Sequence, residues 1–152
     1  MSAAPGLGEI LAGEAGLYER LLALLGEEER ALTGGRLAVV AECVTRKENL
    51  VLEIRLAELA RQTAMARLTR DTDGSLTWLH DDAAVVEARD RLRDVLPRVL
   101  RANRRVAALI DRSLARLHAT LEILQDTAGA GRSYRPNGAL IGALPSAVDG
   151  RA

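Results

Sequence analysis

From Val85 to Leu124 the chain returns an apolar residue every three or four positions: Val85, Ala88, Leu92, Leu96, Val99, Val106, Ile110, Leu114, Leu117, Leu121 and Leu124, with Asn103 as the one polar interruption. A strand would alternate every second residue, whereas this step holds one stripe on one side of an α-helix for about twelve turns. The pattern is that of a coiled-coil seam, and a stripe of that length has to be covered by other helices. Asp81 or Asp82 suits the N-cap, and the periodicity runs to about Thr127. Pro97 removes one backbone donor within it, yet the apolar phase is the same on both sides. A continuous, kinked helix is therefore expected in preference to two helices with Pro97 in a first turn.

Two more helices precede it. The first is expected over residues 8–32, where Ile10, Leu17, Leu21, Leu24, Leu25 and Leu32 share a face. Gly8, Gly13 and Gly16 weaken its start by about 1 kcal/mol each against Ala, so its first two turns are expected to fray. Thr33-Gly34-Gly35 ends it. The second is expected over residues 36–70, with Leu37, Val40, Val44, Lys47, Val51 and Ile54 in step and Leu52, Leu56 and Leu59 widening the stripe. Asp71 to Ser75 is turn chemistry. The chain has no Phe and only 2% aromatic residues, so its core must be Leu, Val, Ile and Ala. That composition favours helices packed side by side over a sandwich of sheets. The expected fold is all-α: one elongated antiparallel three-helix bundle with coiled-coil-like packing over residues 1–127, followed by a flexible, disordered C-terminal tail over 128–152.

Charge and cysteine content narrow the class of function. The net charge is zero, which excludes the strong bias of a nucleic-acid or acidic-surface binder. Residues 8–33 hold six acids and two bases, and residues 36–70 hold seven bases and four acids, so the first two helices attract each other modestly. Cys43 is the only cysteine, which fits a reducing compartment. The N-terminal stretch lacks a basic region and a long apolar run, and no run of 18 apolar residues occurs. A cytoplasmic protein with no membrane insertion is expected.

No catalytic or metal constellation stands out, so neither an enzyme nor a cofactor is expected. His80-Asp81-Asp82 reads as a helix cap beside a loop histidine, since neighbouring residues at a helix start rarely converge on one ion. His118 stands alone. The stretch Ala128 to Ser133 is Gly-rich but lacks the Gly-Lys-Ser/Thr ending and the preceding strand of a phosphate loop, and reads as a linker. Arg101, Arg104 and Arg105 form a basic patch without stacking aromatics, flanked by Asp94 and Asp111, and read as a solvated face. Trp78, with Leu76 and Leu79, is expected to plug one end of the bundle. Lys47, the one lysine beside twenty arginines, would snorkel or pair with a carboxylate. Asn103 would either meet a partner's polar group or point to water.

At 1.5 Å per residue the three helices span roughly 37, 52 and 70 Å. The first cannot cover the whole seam of the third, so apolar surface on the second and third is expected to be half-covered, awaiting either a partner helix or a second copy of the chain. After the last helix, Tyr134-Arg135-Pro136-Asn137-Gly138 fits a type I turn following an aromatic. This tyrosine reads either as an anchor for a short linear contact or as an ordinary tail residue.

Four stretches, in order over about residues 17–138, resemble the FlgN family of flagellar type III export chaperones: L-Y-E-R-L-L-A-L-L-G-E-E-E-R-A-L, V-T-R-K-E-N-L-V-L-E-I, N-R-R-V-A-A-L-I-D-R-S-L-A-R-L-H-A-T-L-E-I-L and S-Y-R-P-N-G. The last is similar to a Tyr-x-x-x-Gly element that follows the final helix in that family, although Arg-Pro makes it stiffer here. The resemblance implies a cytosolic chaperone that binds the amphipathic terminal helices of hook-associated, hook–filament junction proteins. It would prevent their premature assembly and deliver them to the export gate or its ATPase components. It also implies a cargo-binding region near the C-terminus, here Val99, Asn103, Val106, Ile110, Leu114, Leu117, Leu121 and Leu124, and gate docking through Tyr134 and Gly138. The alternative is a homodimeric coiled-coil adaptor with no chaperone role.

Overall fold

A computed structural model describes residues 6–130 as three α-helices, α1 (Leu7–Thr33), α2 (Leu37–Asp71) and α3 (Ala83–Ala130), with a single 3₁₀ turn, Thr77–His80, between the last two. No strand occurs among the described residues. The chain falls into two compact units that meet within α3, between Ile110 and Asp111. The disordered tail expected over 128–152 does not begin at 128, because residues 128–130 continue α3, and the remainder, from 131 onward, lies outside the described residues.

In the unit ending at Ile110, ion pairs and hydrogen bonds fix the helix directions. Glu14 meets Arg61, Tyr18 meets Glu58, and Glu28 meets Lys47, so α1 and α2 are antiparallel. Glu19 meets Arg91 and Glu29 meets Arg105, so α1 and this part of α3 run in the same direction. The core is Leu21, Leu24 and Leu25 of α1, Cys43, Leu50 and Ile54 of α2, and Val95, Val99, Ala102 and Val106 of α3. Its buried residues are aliphatic side chains and one thiol, as the composition requires.

The turns follow from local chemistry. Gly35 adopts φ +67°, and the Arg36 and Gly35 amides donate to the carbonyls of Ala31 and Leu32. This closes α1 with a Schellman motif. Asp73 plays the same part after α2 at φ 49°, a conformation that aspartate tolerates better than most residues, and the Gly74 amide donates to the Thr69 carbonyl. Asp82 caps α3, its carboxylate accepting from the amides of Ala84 and Val85 at 3.0 and 3.2 Å. Pro97 sits inside α3, which continues through it.

Three expectations need correction. The start of α1 is held: Leu7 and Gly8 are buried, and a Cβ on Gly8 would lie 2.8 Å from the Cβ of Ala84. That glycine permits a close helix approach, which is worth more than its intrinsic cost to the helix. Trp78 is not a buried plug: it is 39% exposed in the 3₁₀ turn, none of whose residues is buried. The seam of α3 splits in two. The buried line runs through Val85, Ala88, Val95, Val99, Ala102 and Val106, while Leu96 and Asn103, assigned to the same seam, are exposed. Close packing against α1 and α2 leaves room for Val and Ala, and the larger leucines fall on a neighbouring line one residue further round.

Candidate functional site

The eight residues expected to bind cargo do not form one surface. Val99 and Val106 belong to the core, and Ile110 packs against it partly buried. In the folded chain these three side chains serve the core of the unit ending at Ile110. Asn103 is exposed, so its amide is open to solvent.

In the unit beginning at Asp111, every residue from Asp111 to Gly129 is exposed. Leu114, Leu117, Leu121 and Leu124 are 49%, 55%, 46% and 58% exposed, at steps of three and four on one helical face, with Ile123 nearby in sequence at 65%. Fully covering a Leu side chain gains about 1.5–3 kcal/mol, so four half-exposed ones offer a partner helix several kcal/mol.

In the unit ending at Ile110, leucines that sequence reasoning left out of the site add to the exposed apolar surface. Leu96 and Leu100 of α3 and Leu52, Leu56 and Leu59 of α2 are exposed. The signal for the α2 residues was the widened stripe, which a two-partner bundle does not fill. Two grooves border the α2 stripe. One, of about 510 Å³, lies between the start of α1 and the second half of α2 and includes Leu7, Ile10, Leu56, Leu59 and Leu68, with Arg67 its one charged residue. The other, of about 460 Å³, lies between α2 and α3 and is lined by Lys47, Glu48, Val51, Leu52, Arg55 and Asn103.

Lys47 reaches into that second groove while its ammonium donates to both oxygens of Glu28, at 2.9 and 2.6 Å. Glu28 is 0% exposed, so this pair is a buried polar tie between α1 and α2. A second polar cluster lies along the same interface. The Tyr18 hydroxyl donates to Glu58 at 2.8 Å and Arg61 donates to the buried Glu14 at 2.9 Å. Burial, then the hydrogen bond to the Glu58 carboxylate, pushes the Tyr18 phenol up to about 12. Burial likewise raises the Cys43 thiol, which makes it a poor nucleophile.

No group of three or more His, Cys, Asp or Glu residues able to hold a metal occurs among the described residues. His80 and His118 are exposed, and Asp82 is spent on the helix cap. Within the basic patch Arg105 pairs with Glu29 at 3.2 Å, leaving Arg101 and Arg104 exposed. None of the helices is long and apolar enough to cross a membrane among the described residues. Tyr134 and Gly138 lie outside them.

One protein family, described as FlgN protein, has a model that matches residues 1–141. No curated protein and no solved structure matches the chain.

Proposed function

We propose a division of labour that starts from one premise: this chain belongs to the FlgN family of flagellar export chaperones. On this reading the unit ending at Ile110 is the stable scaffold. The leucines at 114, 117, 121 and 124 hold an amphipathic terminal helix of a hook-associated protein in the cytoplasm, keeping it from assembling early. Tyr134 and Gly138 then engage the export gate or its ATPase components.

The observation that supports it most is the four-leucine face, half-exposed on a stretch where no side chain is buried. A chaperone for amphipathic helices needs an apolar face of this kind and moderate affinity, so that cargo is released at the gate. The same face would also serve a second copy of the chain, as the coiled-coil spacing permits.

Co-purification with the terminal helices of hook-associated proteins tests the reading. The wild-type chain retains them, and Leu117→Asp or Leu121→Asp loses them with its helical content unchanged. Tyr134→Ala retains them while lowering export of the cargo. A stable homodimer that buries these leucines and excludes cargo would replace the chaperone reading with the adaptor reading.

A further inference from the structure

We propose that residues 139–144 of the same chain lie on the four-leucine face of α3 until a partner helix replaces them. The contact itself follows from the exposed face and from the chain that leaves it. Only its displacement by a partner rests on the helix-binding reading above.

Leu114, Leu117, Leu121 and Leu124 are about half exposed, and every residue around them from Asp111 to Gly129 is exposed as well. Helix α3 ends at Ala130, and twenty-two residues follow it. Those from 136 to 148 include no charged residue, the longest such run in a chain that is 28% charged. Within it Ala139, Leu140, Ile141, Gly142, Ala143 and Leu144 carry no polar side chain. Such a segment gains by leaving water, and the nearest exposed apolar surface along the chain is the leucine face.

Reach agrees with this. Leu124 and Leu114 lie six and sixteen residues before Ala130, about 9 and 24 Å back along the helix at 1.5 Å per residue. The ten residues from Ala130 to Leu140 span up to about 33 Å when extended, and a turn at 135–138 shortens that by only a few ångström. Arg135-Pro136-Asn137-Gly138 is chemistry suited to reversing the chain, and it stands immediately before the apolar stretch. A tether this short holds the segment near the face at an effective concentration of about millimolar, far above that of a second copy in dilute solution. The chain's own tail is therefore the favoured occupant. It offers three large side chains, Leu140, Ile141 and Leu144, so a helix with a longer apolar face displaces it. Undocking precedes unfolding of the core, so the contact leaves the urea midpoint nearly unchanged.

Cross-linking in the full chain tests the contact. Leu140→Cys is combined with Leu121→Cys, on the face, or with Ala119→Cys, which is exposed, two residues away and on the opposite side of the helix. The buried Cys43 stays in place. Under mild oxidation the 121–140 pair should link within one molecule roughly tenfold faster than the 119–140 pair, because docking raises the local concentration above that of a free tether. Separately, the double variant Leu140→Asp with Leu144→Asp should bind a synthetic amphipathic leucine helix about tenfold more tightly than the wild-type chain, as expected for a face covered about nine-tenths of the time. Equal linking rates overturn the proposal. Links formed only between molecules also overturn it and assign the face to a second copy. A double variant that binds the helix no more tightly than a wild-type chain that does bind it overturns the proposal too. A helix that binds neither form overturns the helix-binding reading instead, and the two linking rates still decide whether the segment covers the face.

Discussion

Residues 85–106 and residues 114–124 of α3 share the same three-and-four apolar spacing and meet opposite fates. The first set contributes Val85, Ala88, Val95, Val99, Ala102 and Val106 to a buried line, and the second keeps all four leucines about half exposed. Periodicity therefore reports that a helix has an apolar face but not what covers it. Side-chain size separates the two cases better. Where α1 and α2 press on the helix, Val and Ala are used, and where nothing in the described chain covers it, Leu is used. A surface built to bind should present large, adaptable apolar area, while a core seam has to fit the gap between helices.

The widest contrast should come from placing a charge on each face. Val99→Asp or Val106→Asp forces an unpaired carboxylate into the core and should lower unfolding stability by at least about 4 kcal/mol, enough to unfold a marginal domain. Leu117→Asp should change it by no more than about 0.5 kcal/mol, because that position is already in water. Urea denaturation followed by circular dichroism measures both. If Leu117→Asp destabilises as much as Val99→Asp, the exposed face is packed in solution and the two regions are alike.

Ion pairs offer the same comparison at a smaller scale. Lys47 and Glu28 are joined at 2.6 Å with the carboxylate fully buried, whereas Arg46 and Glu27 are joined at 2.8 Å with both side chains well exposed. Lys47→Ala strands a buried charge and should cost about 3 kcal/mol. Arg46→Ala should cost under about 1 kcal/mol. Replacing both Glu28 and Lys47 with leucine should recover most of the loss, since an apolar pair leaves no charge to strand. If Lys47→Ala behaves like Arg46→Ala, water reaches Glu28 and the tie between α1 and α2 is not a buried one.

Helix number and class were legible because caps, turns and composition agreed. Asp82, the Gly34-Gly35 pair and the Asp73-Gly74 pair each stand where their chemistry requires. The pairing of the sole lysine with a carboxylate was also foreseeable, although its partner Glu28 was not, because pairing across helices depends on their register. Of the eight residues expected to bind cargo, Asn103, Leu114, Leu117, Leu121 and Leu124 lie exposed, whereas Val99 and Val106 are buried. Leu96 and Asn103 fit the arithmetic of the seam as well as Val95 and Ala102 do, and only the packing of three helices distinguishes a position from its neighbour. Trp78 misled for a related reason: a large aromatic suggests a core, but in the 3₁₀ turn it stays 39% exposed. Gly8 misled because propensity counts what a glycine costs its own helix and not the space it yields to another.

That last point can be measured. Gly8 and Gly13 both lie in α1, and by propensity alone changing either to Ala should add about 1 kcal/mol of stability. Their surroundings differ. A Cβ at position 13 meets nothing within 4 Å, but a Cβ at position 8 would lie 2.8 Å from the Ala84 Cβ and 3.3 Å from the Ala84 carbonyl carbon. The second of those atoms is backbone, so relief requires α1 and α3 to part rather than a side chain to turn. Overpacking of this kind costs about 1–3 kcal/mol, which outweighs the propensity gain. Gly13→Ala should therefore raise the denaturation midpoint and Gly8→Ala should lower it, a difference in sign between two chemically identical changes. If Gly8→Ala stabilises as Gly13→Ala does, α1 and α3 are not in contact at that end, and the first two turns of α1 fray as the sequence alone would predict.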